Sequence, residues 1–259
     1  MISEQLSVGA GAAVDVRIKS GRLDVKEGPE GAVTVEVDTD DPRLTVEQTG
    51  DRVYITSDAA SGWLSSRPAK VLVFAPAGAD ISAETSSASV NCEGRMGDLD
   101  VKTGTGDVTL ERVESATVKT ASGDVRAARV ERDINVACVT GDARVDSCGR
   151  GVFSAASGDV RIGTAAASVI VSTVAGDLDI GLFLGRRASV KSMSGSVGIG
   201  APAGTKLDLD ATLLSGKLRL PAPRPTEGAA ARQMKIKAKL VSGDLTIRRV
   251  EDERKAEDR

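Results

Sequence analysis

The sequence predicts an all-β protein, a parallel β-helix (solenoid) of about nine coils of 17–18 residues with an N-terminal antiparallel or mixed strand cap, and three observations predict it. One short phrase keeps returning: TGDVTL at Thr105, SGDVRA at Ser122, TGDARV at Thr140, SGDVRI at Ser157 and AGDLDI at Ala175. Its glycines, Gly106, Gly123, Gly141, Gly158 and Gly176, are 17, 18, 17 and 18 residues apart, with looser copies at Gly195, Gly216 and Gly243. A constant step of this size marks a solenoid, in which each repeat is one coil stacked on the last. Apolar residues alternate on both sides of each glycine, which is the pattern of a half-buried strand. Finally, 41% of the residues are hydrophobic but only 2% are aromatic, which suits a thin core between closely spaced strands.

Residues 1–78 alternate without a fixed period: Val14, Val16 and Ile18, then Leu23 and Val25, Val33 to Val37, Leu44 and Val46, Val53 and Ile55, Val71 and Val73. Turn-forming stretches such as EGPEG at Glu27 and DTDDP at Asp38 separate them. These strands are expected to cap the first coil, because a naked solenoid edge would recruit further strands. Trp63, in the connecting loop Ser61 to Pro68, is expected to plug an open end of the core.

Residues 79–249 carry the β-helix, beginning with a degenerate copy that has Ala88 in the glycine place. Two places after the glycine run Val90, Val108, Val125, Ala143, Val160, Leu178, Val197, Leu218 and Leu245. Four places after run Cys92, Leu110, Ala127, Val145, Ile162, Ile180, Ile199, Leu220 and Ile247. The places seven and five before it, from Leu99 and Val101 to Ile236 and Ala238, are apolar too, so each coil should have two inward faces joined at the Ser/Thr-Gly-Asp corner. The glycine is needed where the alternation breaks phase. Stacking near 4.8 Å per coil gives a body roughly 45 Å long; the columns do not encode handedness, and right-handed winding is expected only from the general preference of parallel crossovers. Pro221 to Arg232 reads as a loop excursion from the coil, and 250–259 as a charged, solvated tail.

Composition excludes several functions. There is no histidine, hence no usual general base or metal ligand. A net charge of −3 argues against nucleic-acid binding. No run approaches a membrane span and the amino terminus lacks a secretory pattern, so a cytoplasmic protein is expected, working at the inner face of the envelope or free of it. Three cysteines, an odd number, should be free thiols in a reducing compartment, with Cys92 and Cys138 buried.

Three outward columns are candidates for chemistry. Asp107, Asp124, Asp142, Asp159, Asp177 and Asp244 follow the glycines, and Arg126, Arg144 and Arg161 stand two places further along. They are expected to form a structural, self-neutralising ladder with aspartates bonding turn amides, not a calcium site. The corner column Ser87, Thr105, Ser122, Thr140 and Ser157 lacks any activating histidine, so its hydroxyls should satisfy a buried corner. Two places before the glycine, Ala121, Val139, Ala156, Val174, Met193, Leu214 and Val241 make an apolar stripe rimmed by Lys119, Lys191 and Lys239. Such a stripe is either an interaction site, of which Val139, Val174, Met193, Leu214 and Val241 are the candidate residues, or is covered by the excursion or the Trp63 loop.

The [ST]-G-D-[VL] coils, with strands ending in FAPAGADI at Phe74 and APAGTKLDL at Ala201, resemble the bacterial putative-adhesin family of β-strand-repeat proteins across about Leu6 to Arg249. The resemblance implies the solenoid fold and an attachment role. A more distant likeness is to bactofilins, cytoskeletal β-helices that polymerise end to end. The expected function is therefore a non-enzymatic, adhesin-like binding or scaffold module without cofactor or metal. Its partner would be a protein, a second copy, or a membrane surface touched peripherally. A bactofilin-like filament is the alternative, and a polysaccharide-active β-helix enzyme, which would want aromatic platforms that this chain lacks, comes last.

Overall fold

The computed structural model describes residues 2–9, 11–39, 44–57, 68–221 and 232–250, and every regular element within them is a β-strand. The Trp63 loop, the body of the Pro221–Arg232 excursion and the charged tail beyond Val250 lie outside the described residues. The N-terminal strands are β1 (Ile2–Ser7), β2 (Ala13–Glu27), β3 (Ala32–Asp38), β4 (Leu44–Thr49), β5 (Arg52–Ser57) and β6 (Ala69–Ala75). The repeat follows as β7 (Asp80–Thr105), β8 (Val108–Ser122), β9 (Val125–Thr140), β10 (Ala143–Ser157) and β11 (Val160–Ala175). It then breaks into shorter pieces: β12 (Leu178–Phe183), β13 (Arg187–Ser194), β14 (Val197–Pro202), β15 (Thr205–Ser215), β16 (Leu218–Arg219), β17 (Arg232–Ser242) and β18 (Leu245–Val250).

Strands β7 to β11 stack in parallel and in register, so that Val90, Val108, Val125, Ala143 and Val160 face one another in turn. The expected inward columns are buried through these coils. A third inward column, seven places after the glycine, joins them with Val113, Val130, Cys148, Ala165 and Phe183. Gly151, the odd member of its column, leaves room for the Phe153 ring, which a β-carbon there would meet at 2.5 Å. Each large aliphatic side chain buried in this way contributes about 1.5–3 kcal/mol, enough in aggregate to offset the backbone ordering of a coil that could not stand alone.

The corner is set by sterics. Gly158 has φ +127°, and a β-carbon on it would lie 2.1 Å from the carbonyl oxygen of Gly141 in the coil below. Both facts demand glycine. The corner hydroxyls, expected to be buried, are exposed instead; the hydroxyl rank that is buried lies two residues earlier, at Thr85, Thr103, Thr120 and Thr173. The cause is that the two residues before the glycine both turn outward, so the alternation changes phase before the glycine.

At both ends the order of coils in space differs from their order in sequence. β2 pairs in parallel with β7 on one side and with β5 and β6 on the other, so parallel stacking starts at Ala13 rather than at residue 79. β5–β6 is the outer coil, and the antiparallel strands β3, β1 and β4 cover its edge. At the other end β17 and β18 lie between β13–β14 and β15–β16. Leu218 and Leu220, expected to point into the core, are therefore on the last coil and are exposed, with Leu209 and Ala211 only half-buried. The step from Gly195 to Gly216 is 21 residues, and the additional residues, including the turn at Gly204 (φ +73°), lift the chain across two coil spacings. The 27-residue step to Gly243 then brings it back into the gap.

Candidate interaction face

The two outer faces of the solenoid differ in chemistry. On the face after the glycine, each aspartate side chain reaches the next coil. The Asp124 N–H donates to Asp107 Oδ1 at 2.9 Å, Asp142 N–H to Asp124 at 3.1 Å, Asp159 N–H to Asp142 at 2.9 Å and Asp177 N–H to Asp159 at 2.9 Å. The reason is local. Backbone N–H groups flanking this residue, such as those of Gly106 and Val108, donate onward to the following coil, while the glycine conformation turns the intervening N–H back toward the preceding one. No carbonyl waits there, and the aspartate supplies the acceptor. The ladder also records the coil order, since Asp177 accepts from Ser196 and Asp244 from Lys217.

Arginines neutralise part of this ladder. Arg126 meets Asp124 and Arg161 meets Asp159, each at 2.7 Å, and Arg161 also lies 3.8 Å from Asp142. Arg144 does not serve Asp142; it turns to Asp146 at 3.6 Å. Further pairs that the repeat did not announce are Arg219 with Asp244 and Arg248 with Asp179. Each carboxylate of the ladder holds a backbone amide of the next coil, and Asp124, Asp142, Asp159 and Asp244 also meet a guanidinium group. Among the described residues no group of acids and thiols converges as a metal site would.

The face before the glycine is different. In spatial order the stripe reads Ala121, Val139, Ala156, Val174, Met193, Val241 and Leu214, because β17 sits inside β15. Val139, Val174, Met193, Leu214 and Val241 are all exposed, from 45% at Val241 to 77% at Leu214. Alternation also places Val152 and Ile170 outward on this face, in register on β10 and β11, and Ile170 is 49% exposed. The stripe column alone did not include them, although the same alternation carries the signal.

Charges on β10, β11, β13 and β17 follow the register. Arg150, Ser168, Arg187 and Lys235 form one row, and Ser154, Ser172, Lys191 and Lys239 another. Ser189 and Lys237 continue the row of Val152 and Ile170. No acid faces outward on the segments of these strands that precede the glycine, 150–157, 168–175, 187–194 and 235–242. The flanking strands supply Asp133 to Arg150 at 3.6 Å, Asp208 to Lys235 at 3.9 Å and Asp210 to Lys237 at 3.5 Å. Arg187, Lys191 and Lys239 have no ion pair among the described residues.

A shallow open groove of about 690 Å³ borders the stripe between Glu84 and Val174. Its floor hydroxyls are engaged within the protein: Thr85 donates to Thr103 Oγ1 at 2.9 Å, and Thr103 and Thr120 donate to the carbonyls of Thr105 and Ser122 at 3.1 Å. Cys92, Cys138 and Cys148 are free and buried. Burial pushes the Cys92 thiol up to about 12 and Cys148 to about 11, and raises Cys138 with help from Asp142 and Asp124. None is poised as a nucleophile.

The family model of Toastrack DUF4097 matches residues 4–259. Among solved structures, a putative adhesin from Parabacteroides distasonis ATCC 8503 is similar at 14% identity, with 95% of this chain and 96% of that chain covered and a TM-score of 0.54. A putative adhesin from Bacteroides fragilis NCTC 9343 matches at 12% identity over 95% and 96%, with a TM-score of 0.42. A putative lipid binding protein from Parabacteroides distasonis ATCC 8503 matches at 15% over 96% of both, with a TM-score of 0.44. At such identities the likeness of the first is one of fold. No curated protein matches the sequence.

Proposed function

The chain belongs to the Toastrack DUF4097 family, and from the face that this member leaves exposed we propose that it is a non-catalytic, adhesin-like binding module. It works in the cytoplasm at the inner side of the envelope. One observation carries the proposal: Val139, Ala156, Val174, Met193, Val241 and Leu214 line up as exposed apolar residues on consecutive coils of one sheet. Contiguous apolar surface on an otherwise charged protein marks a contact. The absence of histidine, the engaged carboxylates and the unactivated corner hydroxyls support binding without catalysis. The test is cosedimentation with washed bacterial envelope fragments. Wild type should pellet with them and a Val174→Ser/Met193→Ser/Val241→Ser variant should stay in solution while keeping its fold by circular dichroism; equal pelleting of the two refutes the assignment.

End-to-end association is a second reading, favoured by the last coil, where Leu218 and Leu220 are 45% and 54% exposed beside an edge of β15 that no strand of the described residues pairs. Because antiparallel strands cover the N-terminal end, such contact joins two copies at their C-terminal ends rather than building a bactofilin-like filament.

A further inference from the structure

Resting on the binding-module reading above, the partner can be named from the charge pattern: we propose that the face carrying Val174, Met193 and Val241 lies flat on an anionic lipid surface. The basic residues beside the stripe are arranged at a cost to the protein. Arg187 stands in register with Lys235, and Lys191 with Lys239. Like charges directly opposite on neighbouring strands repel, and nothing among the described residues neutralises Arg187, Lys191 or Lys239. Like charges also stack on the face after the glycine, at Arg126, Arg144 and Arg161, but each of these is set against a nearby carboxylate. The chain as a whole is acidic, and three unpaired cations gathered beside an apolar stripe find their counter-charge outside it.

The form of the face favours lipid over an acidic protein. Met193 lies two residues beyond Lys191 along β13, and Val241 two beyond Lys239 along β17, so each lysine stands beside an apolar side chain that projects from the same sheet surface. That pairing matches a bilayer boundary, where phosphates lie over acyl chains. Protein hot spots are built on tryptophan, tyrosine and arginine anchors that fill pockets. The stripe has aliphatic residues only, and the threonine hydroxyls of the neighbouring groove are engaged within the protein. Bound in this way, Val174, Met193 and Val241 enter the headgroup boundary while Arg187, Lys191 and Lys239 meet lipid phosphates. No helix of the described residues is long and apolar enough to cross a membrane, and contact from one side does not require one.

The experiment uses the full chain with protein-free vesicles of phosphatidylcholine, with and without about 30% phosphatidylglycerol, in a flotation assay at low salt. Wild type should float with the anionic vesicles alone, and raising salt from about 50 to about 500 mM should weaken binding about tenfold or more. Lys191→Glu/Lys239→Glu should abolish flotation with thermal stability close to wild type, because it exchanges one exposed like-charge pair for another. Lys191→Arg/Lys239→Arg should float like wild type. Equal flotation of the charge-reversed variant, or equal binding to neutral and anionic vesicles, overturns the proposal. Pelleting with envelope fragments that is lost after protease treatment, together with no vesicle binding, also overturns it while leaving the binding-module reading intact: the partner is then a protein.

Discussion

A single β-carbon measures how tightly the corners are stacked. Replacing Gly158 by alanine combines a left-handed backbone, which costs a non-glycine residue about 1–3 kcal/mol, with a clash against the Gly141 carbonyl at 2.1 Å. A loss of at least about 3 kcal/mol is expected in urea unfolding. The aspartate next to it tests a different force. Asp142→Ala strands the N–H of Asp159 and should cost about 1–2 kcal/mol, whereas Asp142→Asn keeps an acceptor oxygen and should stay within about 0.5 kcal/mol of wild type. The buried thiols give a pH signature. Cys92 is pushed from the ordinary 9.0 up to about 12, mainly by burial and then by the charge of Asp24. Below pH about 9 the thiol is protonated in both states; between about 9 and 12 only the unfolded chain releases the proton, so stability falls as pH rises, by about 1.4 kcal/mol for this thiol at pH about 10. Comparing the melting temperature of wild type and Cys92→Ala across that range should show a shallower alkaline decline in the variant.

At the scale of elements, crosslinks can read the coil order directly. Ser194 is in register with Ser242, while Ser215 lies beyond it on the far side of β17. Ser194→Cys/Ser242→Cys spans about 4.8 Å and should close a disulfide under mild oxidation, whereas Ser194→Cys/Ser215→Cys spans about 9.6 Å and should not. Coils stacked in chain order would give the opposite result on a non-reducing gel. The repeat, the inward columns and the glycine corners were all legible in the sequence, because each recurs at a constant step and reports a constraint imposed by the neighbouring coil. Coil order was not, since β17–β18 carries the same apolar pattern as any other coil and fits any gap of the right height. One clue was present. The motif APAG occurs at Ala75 and at Ala201, and in both places the chain next steps over an interposed coil, β2 in one case and β17–β18 in the other. The exposed stripe was legible from alternation, but the unpaired state of Lys191 and Lys239 depends on which strands become neighbours and could not be read along the chain.

Across the whole molecule the two ends are unequal, one covered by antiparallel strands and the other left with Leu218 and Leu220 in the open. If two copies meet there, sedimentation should show a monomer–dimer equilibrium that shifts to monomer in Leu218→Asp/Leu220→Asp, with no species larger than a dimer in either protein; an unchanged equilibrium argues that the end stays uncovered or is covered from within. The tucked position of β17–β18 has a mechanical consequence. In an ordinary solenoid, force applied near the C-terminus peels the outermost coil away, one hydrogen-bonded edge at a time. Here a pull beyond Val250 acts on strands held on both sides, by β13–β14 beneath and β15–β16 above, so both edges must shear together. The chain is tied off like a rope whose free end is passed under its last turn, and a processive unfoldase that engages it there has to break an interior coil before it can unwind anything.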